Sequence, residues 1–144
     1  MSRPVTPLLT VDVIIEMSDR PERPIVLIER RNPPLGWALP GGFVDVGERL
    51  ERAAMREARE ETCLQVQLQT LLGCYSDPAR DSRGHTVSAV YVAQAEGAPR
   101  AQDDARSLAL FDPQRAPKLA FDHRLILDDY LRFRRLGVIA PLRF

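Results

Sequence analysis

Gly42 to Leu64 reads GFVDVGERLERAAMREAREETCL, a glycine-opened loop that runs into a helix. From Glu48 to Thr62 there is no Gly or Pro, and Ala, Glu, Arg and Leu dominate, so this is the clearest helix in the chain. Residues three and four apart on a helix share a face, which sets Glu57, Glu60 and Glu61 side by side. Leu50, Ala53 and Ala54 fall on that same face, with Leu64 if the helix runs so far. Arg52, Met55, Arg59 and Thr62 take the opposite side. A solvated helix would carry its glutamates away from its apolar residues. Here they accompany them, toward a sheet.

Carboxylates crowded against apolar surface repel one another and lose hydration, so they need compensation. Arg56 lies beside Glu57 and within reach of Glu48 and Glu60. A hard divalent cation would compensate more strongly, because Mg²⁺ and Mn²⁺ take carboxylate and carbonyl oxygens. The alternative is an ordinary charged helix with i,i+4 pairs such as Glu48–Arg52, each worth a few tenths of a kcal/mol. Just before it, Pro40-Gly41-Gly42 permits close backbone approach and positive φ, and Gly47 loosens the turn into the helix. Such a loop–helix unit suits metal-assisted attack of water on a phosphoryl group; the glycines alone are equally well simple turns.

The remaining chain supplies a sheet and a second helix. Thr10–Met17 and Pro24–Glu29 are β-branched and apolar, with turn residues Ser18 to Pro21 between them. Trp37–Val44 reads as a short strand interrupted at Pro40-Gly41-Gly42. Leu64–Tyr75 alternates apolar and polar residues, Thr86–Ala95 is a further strand, and Ser107–Phe111 a short one. Ser76 to Gly84 is a polar loop long enough to be functional. Asp122 to Arg135 is amphipathic through Leu125, Ile126, Tyr130 and Phe133, with Asp122 as N-cap.

Length and composition bound the function. With 144 residues and 44% hydrophobic content, residues 1–144 form a single globular domain, not a disordered chain. Twenty basic residues, all Arg except Lys118, balance 20 acidic ones, so no global field recruits nucleic acid or an anionic membrane. Cys63 and Cys74 are too few for a disulfide framework, and no run approaches a membrane span, which points to the cytoplasm.

Gly42, Glu48, Arg56-Glu57, Glu60-Glu61 and Leu64 reproduce the spacing of the Nudix box, G-x5-E-x7-R-E-U-x-E-E-x-G-U, and the chain resembles that hydrolase family. Ala58 stands where a bulkier aliphatic is usual, and Cys63 where Gly is customary. The resemblance implies an α/β fold, the Nudix α/β/α sandwich with a mixed central sheet, and hydrolysis of a nucleoside diphosphate linked to another moiety with Mg²⁺ or Mn²⁺. It implies that Glu57 and Glu61 ligate metal together with the Gly41 carbonyl. Glu60 would be a further ligand or would orient or deprotonate water, and Arg56 would hold the carboxylates through Glu48.

Beyond the box, Arg31-Asn32-Pro33-Pro34, Trp37 to Gly42, Tyr75 to Asp81, Arg83-Gly84-His85 and Leu119 to His123 resemble the ADP-ribose pyrophosphatase branch, where a proline at the place of Pro78 goes with ADP-ribose. The small-molecule nucleotide implied is ADP-ribose, cleaved to AMP and ribose 5-phosphate. Triphosphate pyrophosphatase activity and a non-catalytic sensor of ADP-ribose or NAD-related ligands are the alternatives. Arg80 and Arg83, with Arg31, suit phosphate oxygens, which guanidinium groups bind in bidentate fashion, or are solvated loop residues. Trp37 stacks on adenine or packs in the core or a dimer. Asp104, in Asp103-Asp104, binds a second metal, activates water or is a solvated turn. His85 and His123 read as structural. Relatives in this branch often complete the pocket across a homodimer, and the apolar tail Leu136 to Phe144 suits packing on the domain or on a partner.

Overall fold

The structure, a computed structural model, describes residues 2–144. Strands β1 (Leu8–Met17), β2 (Ile25–Arg30), β3 (Gly36–Ala38), β4 (Gly41–Phe43), β5 (Gln67–Tyr75), β6 (Thr86–Ala95) and β7 (Ala105–Phe111) form one mixed sheet. Helix α1 spans Leu50–Thr62, and α2 spans His123–Leu136.

Strand β1 is central. One edge pairs in parallel with β6 along its whole length, from Leu8↔Thr86 to Met17↔Ala95. The other edge is divided: β4 pairs with its first half at Thr10, Val11 and Asp12, and β2 meets its end at Glu16↔Ile25. Between them the Val13 amide donates to the Pro40 carbonyl at 2.8 Å. Both faces of β1 are covered, which is why its sequence is nearly continuously apolar rather than alternating. The odd positions Val11, Val13, Ile15 and Met17 pack with Ala53, Ala54 and Ala58 of α1. The even position Ile14 packs with Ile126, Leu127 and Tyr130 of α2. Period two thus places Asp12 and Glu16 on the α2 side, where Glu16 accepts the Tyr130 hydroxyl. The result is the expected α/β/α sandwich.

Several local expectations need correction. Thr62 is fully buried rather than on the outer side of α1. The chain beyond β6 crosses the end of the helix there, with the Arg100 amide donating to the Thr62 carbonyl and Gln102 to that of Glu61. Asp122 occupies the N-cap position of α2 but makes no capping bond, because Arg80 takes its carboxylate. Leu125 is exposed on α2, whereas Ile126 and Tyr130 are buried.

Cys63 adopts φ 62°, the left-handed C-cap of α1, with its amide donating to the Arg59 carbonyl. The turn customary for Gly is therefore formed, at the expense of Cβ crowding. Cys63→Gly is expected to stabilise the fold by about 1 kcal/mol, read as a higher urea midpoint at unchanged slope.

Candidate active site

A cavity of about 270 Å³ opens where β4 joins β1, walled by β1, β4 and α1, the 80–86 segment, Asp104 and the Phe121–His123 turn. Two glycines admit the side chains. Gly41 lies against Asp12, and a Cβ there would strike the Val11 carbonyl and the Asp12 carboxylate. A Cβ on Gly42 would lie 2.6 Å from the Glu57 carboxyl carbon. Neither residue has positive φ; in this loop that conformation belongs to Gly47, at 85°. Close approach, not backbone handedness, is what these two positions require.

Glu57 and Glu61 line the cavity from α1. Glu61 is 4% exposed, with Oε1 3.4 Å from the Gly41 amide. Its Oε2 is buried and has no hydrogen-bond partner among the described residues. Burial first, then the neighbouring Glu57 charge, pushes the Glu61 carboxyl up to about 9. Burial raises Glu57 as well, against the pull of Arg56. Arg56 binds Glu48 with two nitrogens, at 2.7 and 2.8 Å, and reaches Glu57 at 2.9 Å. That contact holds Glu48 low, at about 2, and Arg56 firmly charged. Arg56 thus lies between Glu48 and Glu57, where a bracing role would place it.

Glu60 differs from expectation. Its side chain is 43% exposed and turns to Arg56 Nη1 at 3.2 Å. Among the described residues no three His, Cys, Asp or Glu side chains converge as a metal cluster. Of the α1 glutamates, Glu57 and Glu61 face the cavity, with Arg56 beside them. A partnerless buried carboxylate oxygen, a second carboxylate admitted by a missing Cβ and a donor set of hard oxygens fit Mg²⁺ or Mn²⁺, which keep several waters when bound. Ligation must then expel a proton from Glu61. Affinity for Mg²⁺ is expected to rise about tenfold per pH unit between roughly pH 5 and 9, with about one proton released per ion at pH 7 in calorimetry. In metal-stripped protein the offset works the other way. The unfolded carboxyl at 4.5 loses its proton before the folded one at about 9, so stability falls with rising pH across that window.

The arginines are arranged otherwise than the loop sequence suggests. Arg80 is buried, its Nε and Nη2 on Asp122 at 2.9 and 2.7 Å and its Nη1 on Thr86, so it braces the wall instead of standing free for phosphate. Arg83 lines the cavity, held by two nitrogens to Asp81. Arg31 is exposed, and its neighbour Arg30 enters the cavity instead. Trp37 does not line it; the indole packs edge-on against Phe111 with ring centroids 5.2 Å apart. Asp104 does line it. Arg30, Asp12, Asp81, Phe121 and His123 were not foreseen as site residues. For Arg30 the sequence holds a cue, since it continues the alternation Val26, Ile28, Arg30 along β2; the other four depend on pairing distant segments. His123 is buried and stays neutral, Nδ1 accepting the Leu39 amide at 3.0 Å and Nε2 3.6 Å from Asp12.

Comparison with known proteins agrees with this geometry. The NUDIX domain family model matches residues 6–130. Over 131 residues the chain is 46% identical to an ADP-ribose pyrophosphatase of Methanocaldococcus jannaschii, covering 89% of this chain and 75% of that protein. The NUDIX domain of Shewanella oneidensis NrtR, solved in complex with ADP ribose, superposes with TM-score 0.76 at 30% identity, over 91% of this chain and 90% of that one. A MutT/nudix family protein of Enterococcus faecalis superposes with TM-score 0.79 at 28% identity, over 94% of this chain and 65% of that one. The box, the paired carboxylates and these likenesses converge: the chain belongs to the Nudix hydrolase family.

Proposed function

We propose that this enzyme hydrolyses the diphosphate of ADP-ribose, adding water across one P–O–P link to give AMP and ribose 5-phosphate with Mg²⁺, or Mn²⁺ in its place. The observation that carries the reading is the pairing of Glu57 with Glu61, whose Oε2 has no partner among the described residues, with Arg30 and Arg83 in the same cavity. The 46% identical archaeal pyrophosphatase supports the choice of substrate. When bound, the ion would activate water and neutralise charge on the phosphates. Glu57 and Glu61 would hold it beside the Gly41 loop, while Arg56 and Glu48 keep Glu57 in position. Glu60 would share Arg56 with Glu57. Arg30 and Arg83 would bind phosphate oxygens, and Asp104 would face the substrate across the cavity.

Residues 1–144 are proposed to act as one domain, as a homodimer and in the cytoplasm. Support for the dimer comes from exposed Ile139, Leu142 and Phe144 on the tail. For the compartment it comes from the unpaired thiols of Cys63 and Cys74 and from a fold in which no helix of the described residues is long and apolar enough to cross a membrane. Purified protein incubated with Mg²⁺ and ADP-ribose, NADH, sugar nucleotides and nucleoside triphosphates tests the reaction. Fastest release of AMP and ribose 5-phosphate from ADP-ribose is expected. Pyrophosphate released faster from a triphosphate would overturn the substrate and keep the metal helix; no turnover of anything would favour a sensor.

A further inference from the structure

Two cationic groups converge on one aromatic ring at the cavity wall. The Arg30 guanidinium lies 4.8 Å from the centre of the Phe121 ring and that of Arg83 5.2 Å from it. Like charges drawn to one ring repel, and Arg83 is one of the influences that ease proton loss from Arg30, after burial. Left to themselves, the two long side chains would splay into water. Fixed contacts oppose this: Arg30 Nε donates to the Pro34 carbonyl at 2.7 Å, and Arg83 is bound through two nitrogens to Asp81. Among the described residues Arg30 makes no ion pair, and Arg83 Nη1 has no acceptor.

Phe121 itself stands in an unusual conformation. Its φ is 55°, the left-handed region that an aromatic residue rarely enters. The turn is pinned on both sides: the Ala120 amide donates to the Trp37 carbonyl at 2.8 Å, and His123 donates back to Ala120 at 3.2 Å. Asp122, the next residue, is clamped by Arg80. The ring is thereby held against both guanidiniums, each within reach of its negative π surface.

We propose that Phe121 is a positioning residue that holds Arg30 and Arg83 together as a paired anion grip, and that a diphosphate is the anion they grip. The inference rests on the proposed reading of this cavity as a diphosphate site. As a positioning residue the ring would act on binding through the arginines and leave Glu57 and Glu61 unaltered.

The test replaces Phe121 by leucine and, to keep shape constant, by fluorinated phenylalanines that drain the ring's negative face. Binding of methylenediphosphonate with Mg²⁺ is measured by calorimetry, alongside steady-state kinetics on ADP-ribose. Phe121→Leu is expected to weaken diphosphonate binding and raise KM about tenfold with kcat changed less than about twofold. Progressive fluorination should weaken binding stepwise, and Phe121→Tyr should restore it. Diphosphonate binding in which leucine and fluorinated variants equal the wild type, or a wild type that binds none, overturns the proposal. A loss in kcat with KM unchanged does so as well. A wild type that fails to cleave ADP-ribose yet loses the diphosphonate on fluorination would overturn the substrate and uphold the ring's role.

Discussion

Glu61→Gln is expected to lower ADP-ribose turnover at least about a thousandfold while KM moves by less than about tenfold. The reason lies in the state of the Glu61 carboxyl. Buried beside Glu57, it holds its proton up to about pH 9 in the absence of a cation. The amide of Gln mimics that protonated form in size and in charge. The metal-stripped variant should therefore unfold at a higher temperature than wild type at pH 7, because folding no longer has to protonate a carboxyl at this position, and the two should converge near pH 4.5. Their responses to Mg²⁺ should differ as well. Ligand binding to the folded state raises stability by mass action, so wild type should gain several degrees and the variant almost none. A variant that keeps its Mg²⁺-induced rise in Tm and its turnover would remove Glu61 from the metal site. One that loses stability without metal would show that the carboxylate serves packing instead.

The paired carboxylates of α1 were legible in the sequence because their information is local. Helical spacing gathers Glu57 and Glu61, and Arg56 reaches Glu48 through contacts within one helix and its entry turn. Glu60 shows the limit of that reasoning. It falls on the same face by spacing, yet its exposed position lets it follow Arg56 away from its neighbours. The arginine-bearing half of the cavity was legible only in outline. Arg80 and Arg83 share a loop and a residue type, but Asp122 captures one and Asp81 the other. Asp122 lies 42 positions from Arg80, so the loop sequence alone carries no trace of the pairing. Arg31 stands in for Arg30 in the sequence reading because that reading rests on the Arg31-Asn32-Pro33-Pro34 segment, whereas the alternation Val26, Ile28, Arg30 along β2 is what turns Arg30 to the cavity. Trp37 followed the apolar rule instead of the stacking one, and found Phe111 across the sheet's α2 face.

Gly42→Ala and Gly41→Ala separate catalysis from folding at adjacent positions. A methyl on Gly42 first meets the tip of Glu57, 2.6 Å from its carboxyl carbon, and a side chain can move aside. Its φ suits alanine, so the backbone stays put and stability should change by less than about 0.5 kcal/mol. The displaced carboxylate then sits on the order of 1 Å from its place, which is enough to cost about a hundredfold in kcat. Weaker Mg²⁺ binding should accompany that loss, and Glu57→Asp in the same background, which withdraws the carboxylate by one methylene, should recover part of it. On Gly41 the obstacles are the Val11 carbonyl and the Asp12 backbone, which are fixed by strand pairing and cannot move alone. Gly41→Ala must therefore part β4 from β1, at an expected loss of at least about 2 kcal/mol in stability. Its activity should fall with the folded fraction as well as with the site. Denaturant midpoints and kcat for the two variants decide the matter. Two equally destabilised proteins would mean that the loop carries both glycines for packing, whereas a stable, slow Gly42→Ala enzyme beside an unstable Gly41→Ala one would mean that the second glycine exists to admit Glu57.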